Sequence, residues 1–224
     1  MSFQRGRHAF YARSNVAFWR GKSGELAEAV AAFTALLKEA AAAFGPDDPD
    51  TLTTRGNLAQ WQGESGDPGG AAKALADLVD DRIRVLGPHH LDTLSTRHNL
   101  AEWQGRAGDP KAAVMTLSVL LEDMRRVLEP DHPAILAVRS EAARWQGELE
   151  DPQGAVDALT ELLGDMIRVL SPAHPDAIAT YNNIVYWRAR VTERAETTPS
   201  NAIVEESIRL DLPGTVPEVP DRAE

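Results

Sequence analysis

Asp92–Pro133, DTLSTRHNLAEWQGRAGDPKAAVMTLSVLLEDMRRVLEPDHP, is the stretch whose reading decides the fold, because the rest of the chain reads as copies of it. The five tryptophans, Trp19, Trp61, Trp103, Trp145 and Trp187, lie 42 residues apart, and the chain has no others. Three further columns keep that period: Arg13, Arg55, Arg97 and Arg139; Gly21, Gly63, Gly105 and Gly147; and Asn15, Asn57, Asn99 and Asn183, with Glu141 in the fourth place of the last. A fixed period of this length marks a solenoid, in which each unit buries its apolar face only against its neighbours. The spacing divides the chain into units 8–49, 50–91, 92–133 and 134–175, a partial fifth at 176–195, a leader at 1–7 and a C-terminal segment at 196–224.

Each unit reads as a pair of antiparallel helices, so the fold class is all-α. In the second unit Leu52, Leu58, Ala59 and Trp61 share one face, and Asp50 stands where a helix N-cap belongs, as Asp92 does in the third. Gly66-Asp67-Pro68 makes a tight turn: glycine takes a positive φ, aspartate caps the next helix and proline fits its first position. The partner helix spans 68–86 with Ala71, Leu75 and Leu78 inward, and the same columns return as Ala113, Leu117, Leu120 and as Ala155, Leu159, Leu162. In the first unit Phe10, Val16, Ala17 and Trp19 form the apolar stripe of one helix, and Ala29, Phe33, Leu36 and Leu37 that of the next. His90, His132 and His174 share one linker register, which suits capping residues at the joints. The partial fifth unit leaves Ile178, Ile184, Val185 and Trp187 without a second helix. A helix at 200–210 is a candidate cap through Ile203, Val204, Ile208 and Leu210, followed by a disordered acidic tail.

Composition excludes several function classes. With no cysteine there are no disulfides, no thiolate catalysis and no cysteine metal sites, which is the usage of a cytoplasmic protein. No apolar run approaches the ~20 residues of a membrane span. The formal charge of −11 disfavours nucleic acid, whose binding depends on clustered lysine and arginine. No phosphate-cradling loop, zinc-helix signature or nucleophile elbow occurs, so the chain reads as non-catalytic and without a cofactor. His89-His90-x-Asp92 has no third ligand at fixed spacing and is not read as a metal site.

The 42-residue helix–turn–helix period, the runs Asn57-Leu58-Ala59 and Asn99-Leu100-Ala101, the Gly-Asp-Pro turn and the Gly-Pro-x-His-like linker resemble a tetratricopeptide repeat. More narrowly, the unit is similar to the variant of kinesin light chains and of many bacterial signalling proteins. Two departures stand out: tryptophan occupies a place where the family more often has leucine, and arginine a first-helix place that is usually apolar. The resemblance implies a right-handed superhelix whose first helices line a concave groove that seats an extended peptide or a partner helix.

It also implies that the asparagine column faces that groove and grips a ligand's main chain, since a carboxamide both donates and accepts. The candidate peptide-binding residues are Asn15, Asn57, Asn99 and Asn183, with Glu141 as a selector for a cationic group and His98, Gln60 and Glu102 as neighbours that choose sequence. The bland alternative is that the asparagines bond to an adjacent helix. The arginine column has two readings as well, a basic stripe for acidic ligands or structural ion pairs. Glu39, Asp81, Asp123 and Asp165 recur at the same period on the second helices, which makes pairing with Arg13, Arg55, Arg97 and Arg139 the economical one. The function expected is a protein- or peptide-binding scaffold. The alternatives are self-assembly into a homo-oligomer through the incomplete C-terminal unit, and a sensor of a small ligand or signal peptide.

Overall fold

The computed structural model describes residues 2–197, with side-chain environments for residues 6–196. The expected helix at 200–210 and the acidic tail lie outside the described residues. Among those described there are nine helices and no strand: α1 Ser2–Lys22, α2 Leu26–Ala43, α3 Pro49–Glu64, α4 Pro68–Leu86, α5 Leu91–Arg106, α6 Pro110–Met124, α7 Pro133–Glu148, α8 Pro152–Val169 and α9 Pro175–Thr197. Every helix packs on the next in sequence, and odd helices also touch the next odd helix at α1–α3, α3–α5 and α7–α9. This is a solenoid of consecutive helix pairs.

Local chemistry sets the boundaries. Asp67, Asp109 and Asp151 each accept the N–H of the residue three further on, and a proline follows each at the first helical position. Gly66 and Gly108 turn the chain before these caps at φ of 106° and 88°, a conformation that costs glycine nothing. The caps of the odd helices sit two residues earlier than Asp50 and Asp92. Asp48 caps α3 and His90 caps α5, each accepting the N–H two residues on. Pro49 explains the first shift: it suits the opening helical position, so the cap must precede it. His132 and His174 accept in the same way, from the N–H of Ala134 and of Asp176. Residues 2–7, expected as a leader, belong to α1, and the Arg7 guanidinium reaches Asp48 at 2.6 Å and Asp50 at 2.8 Å.

The core is a row of four clusters, each shared between neighbouring helix pairs. Its closing element is a tryptophan set on a glycine of the preceding odd helix. A methyl group placed on Gly21, Gly63, Gly105 or Gly147 would come within 2.3–2.6 Å of the ring of Trp61, Trp103, Trp145 or Trp187 respectively. The glycine and tryptophan columns therefore keep one period because each joint needs one of each. Trp19 has no such glycine, and with Val16 it is exposed, at 69% and 55%, on the side of α1 that carries no described helix. The expected stripe of α1 thus reduces to Phe10 and Ala17. On α9, Ile184 and Trp187 are buried against α7 and α8, contrary to the expectation of an uncovered face, whereas Ile178 and Val185 are exposed.

One helix end departs from the pattern. Gly45 and Gly87 follow α2 and α4 with positive φ, and Ser171 takes that conformation after α8. Glu129 stands at the same place in the third unit without it. There α6 stops at Met124, and turns carry the chain across 125–128.

Candidate functional site

Odd helices expose a polar face at the helical spacing of three and four residues. On α3 this face carries Gly56, Asn57, Gln60 and Glu64, and on α5 Ser95, Asn99 and Glu102. Together they line a cleft of about 620 Å³, to which Phe18, Lys22 and Trp61 and Arg82 of α4 also contribute. Asn57 and Asn99 stand in this one cleft, half-buried, and neither carboxamide makes a hydrogen bond within the described residues. Asn15 lies on α1 outside it and is exposed. Asn183 lines a second cleft of about 310 Å³ with Glu102, Ser140, Glu141 and Arg144.

Several neighbours expected to read a ligand are already engaged. The Gln60 carboxamide oxygen accepts the indole N–H of Trp103 at 3.2 Å, and its nitrogen donates to Glu64 at 3.3 Å. Arg106 joins Glu64 at 3.3 Å and Glu102 at 3.0 Å. Glu141 holds the His98 imidazole at 2.5 Å, accepts from the Trp145 indole at 3.3 Å and lies 3.6 Å from Arg144. Burial pushes the Glu141 carboxyl up, but the hydrogen bond and charge of His98, with Trp145 and Arg144, outweigh it and leave it below its ordinary value. The bond to Glu141 likewise raises the His98 imidazole above its usual range despite burial. The acid that interrupts the asparagine column therefore ties α7 to α5.

The arginine column lies against the second helices. Arg13 meets Glu39 at 2.5 Å, Arg55 meets Asp81 at 2.6 Å, Arg97 bonds to Asp123, and Arg139 meets Asp165 at 2.7 Å. A second set went unread in the sequence. Arg84 bridges Asp47 and Asp81, and Arg168 bridges Asp131 and Asp165, so the linkers before α3 and α7 are fastened to the following unit. Its signal was present: Arg84, Arg126 and Arg168 repeat every 42 residues. Hydrogen bonds from these arginines hold Glu39, Asp47, Asp81, Asp131 and Asp165 below the usual carboxylate range.

Arg82 is a different case. Only 7% exposed, it donates to the Asp92 carbonyl at 2.6 Å and to the Thr96 hydroxyl at 2.7 Å. Its Nε is buried without a partner, and desolvation lowers its pKa.

Among the described residues no group of three or more histidines, cysteines or carboxylates is placed to hold a metal, and no helix is long and apolar enough to cross a membrane. Residues 9–82 match the family model of the tetratricopeptide repeat, and the later units carry the same columns at the same period. The chain carries tetratricopeptide repeats across residues 9–82. Its fold is like that of the nearly identical repeats of a protein assigned as a kinesin light chain in Podosopora anserina, with a TM-score of 0.73 at 22% identity over 84% of this chain and 89% of that one. BtubC (BKLC) from P. vanneervenii has a TM-score of 0.68 at 16% identity over 100% of this chain and 94% of its own. No curated protein sequence matches this chain significantly.

Proposed function

We propose that this protein is a non-catalytic, cytoplasmic scaffold that seats an extended peptide or a segment of a partner protein along its odd helices. The observation that carries the reading is the pair Asn57 and Asn99, side by side in one cleft with unengaged carboxamides. A carboxamide that makes no bond within the fold has a donor and an acceptor left for a peptide unit. The helices beneath are held by packing and ion pairs, so the cleft is preformed and binding need order little besides the ligand. Asn15, on the exposed flank of α1, and Asn183, in the smaller cleft, extend the same face toward the two ends, with His98, Gln60, Glu102 and Glu141 between them.

The test is a pull-down from native extract with wild type beside Asn57→Ala/Asn99→Ala, once both are shown to melt alike. A partner captured by wild type and lost by the double variant supports the groove. Equal capture by both overturns it.

A second reading, assembly with another copy, is favoured by the exposed apolar face of α9, where Ile178, Tyr181 and Val185 are 50%, 56% and 51% exposed. Under it, Val185→Glu lowers the sedimentation coefficient of the full chain. A wild type that sediments as a monomer at high concentration removes this reading.

A further inference from the structure

At the joint between the second and third helix pairs, two residues lower the stability of the fold without serving its packing. The first is Arg82. Its column is apolar and buried in the other complete units, as Ala40, Met124 and Met166. At the next joint Met124 and Val138 take the places of Arg82 and Thr96, and the cavity beside them, about 490 Å³, is apolar. A guanidinium in such a place needs an anion, because a buried charge left unpaired is costly. None is supplied. Among the described residues no carboxylate forms an ion pair with Arg82; its Nη1 meets the Asp92 carbonyl and the Thr96 hydroxyl, and its Nη2 makes no hydrogen bond. The Asp92 carboxylate attracts it from a distance but is half exposed beside His90, and the loss of solvent around Arg82 outweighs that attraction.

The second is Gly56. Its column holds Ser14, His98, Ser140 and Asn182 elsewhere, and a glycine in the middle of α3 weakens the helix. The glycines beneath the tryptophans are demanded by a ring, but this one is not: an added methyl group would meet only Leu78, at an ordinary 3.4 Å. What the missing side chain leaves open is the cleft, which Gly56 and Arg82 both line. Where two residues of one cleft break local rules with no gain in packing, the reason is sought in function.

The neighbours of Arg82 in that cleft include four uncharged side chains that can donate. Thr53, Asn57, Ser95 and Asn99 make no side-chain hydrogen bond within the described residues, and each stands within one helical turn of Thr54 or Thr96. Glu64 and Glu102 line the cleft too, but both bond to Arg106. They also lie farther along their helices, about 15 Å beyond Thr54 and about 9 Å beyond Thr96. A guanidinium with four neutral donors offers more than the two oxygens of a carboxylate can use, and suits the three terminal oxygens of a phosphate. We infer that this cleft seats a small phosphorylated molecule, its phosphate on Arg82 and its organic body along the cleft toward Phe18 and Trp61. The volume of about 620 Å³ falls within the roughly 300–1,000 Å³ of small-ligand sites. A guanidinium only 7% exposed is reached by a small group rather than by the flank of a folded partner. The ligand supplies the anion that the fold withholds, in the room that Gly56 leaves. The site does not depend on a peptide using the same face.

The experiment titrates the full chain by calorimetry with inorganic phosphate, ribose 5-phosphate and adenosine 5′-monophosphate, and with acetate and adenosine as controls at equal ionic strength. Two variants are compared with wild type. Arg82→Met installs the residue that the fold itself places in that column at Met124 and Met166, so it should fold. Gly56→Gln fills the cleft and restores helix propensity, so its melting temperature should rise while its binding falls, a combination that a damaged fold does not produce. The expected result is that the phosphate-bearing probes bind wild type, the controls do not, and affinity falls about tenfold or more in both variants. Failure of all three phosphate-bearing probes to bind at millimolar concentration overturns the site. Acetate bound as well as phosphate overturns the choice of ligand, and phosphate binding that survives Arg82→Met overturns the role of the guanidinium and the inference with it.

Discussion

The joint between the second and third helix pairs and the joint between the third and fourth are cut from one 42-residue template and are filled in opposite ways. Both close with a tryptophan on a glycine, Trp103 on Gly63 and Trp145 on Gly105. Behind that closure the first joint holds a guanidinium bonded to a carbonyl and a hydroxyl, and the second a thioether, a valine and open apolar space. The frame of a joint and its filling are separate variables. The frame sets helix order and spacing, and the filling sets what the joint can accept from outside.

The largest effects should come from the frame. Trp103→Ala and Trp145→Ala should each cost about 3–5 kcal/mol, the usual range for deleting a buried aromatic. Denaturant melts that gave one a small fraction of the other would show that the two joints do not share a frame. Gly63→Ala and Gly105→Ala come next, at about 1–3 kcal/mol, since each forces a methyl group into an indole. A stability unchanged by either would mean that the rings shift freely.

Exchanging the fillings sharpens the contrast. Arg82→Met should change stability by no more than about 1 kcal/mol, because it removes an incompletely bonded buried charge along with its two hydrogen bonds. Met124→Arg should destabilise by about 1–3 kcal/mol, and adding Val138→Thr should return about 1 kcal/mol by supplying the hydroxyl that Thr96 gives Arg82. A thermal-melt double-mutant cycle with no coupling between 124 and 138 would break the analogy.

The smallest effect separates the joints by pH. The folded His98 imidazole is raised, so its contribution is present below its ordinary value of 6.5 and is lost as pH rises through the folded value. The Glu141 carboxyl is lowered, so its contribution is present above 4.5 and is lost as pH falls. Wild type should therefore exceed Glu141→Asn in melting temperature most between these values, and the gap should shrink on either side. The His98 side chain is 40% exposed, which screens the pair and keeps the difference within about 1 kcal/mol. A gap that grows steadily toward alkaline pH would contradict the pairing.

How far the sequence could be read depended on whether a feature repeats. Trp61, Trp103 and Trp145 announced the period, and Ala113, Leu117 and Leu120 the inward face, because each unit meets the same neighbours. Trp19 obeys the same column yet lies in solvent, since periodicity does not show where a neighbour is missing. The odd-helix caps were placed two residues late, at Asp50 and Asp92, because an acid before an apolar run weighed more than the proline at 49. Asn57 and Asn99 could be assigned to a groove face, but the occupation of Gln60 by Trp103 and of Glu141 by His98 depends on contacts about forty residues apart. The apolar cavity was least legible. Leu91, Ala134 and Val138 sit in three different columns, each departure looks like drift, and only the folded chain brings them together beside Met124.

Setting one indole in each joint has an optical consequence. Trp103 donates to a carboxamide and Trp145 lies beside a carboxylate and under the Arg144 guanidinium, 4.1 Å from the ring centre. Trp61 meets the ring of Phe18, Trp187 buries its N–H without a partner, and Trp19 faces water. The five fluorophores therefore begin from five environments. Retaining one at a time and replacing the rest by phenylalanine would make each joint report its own opening, so that the emission of the chain records whether the array melts as one body or unzips from an end.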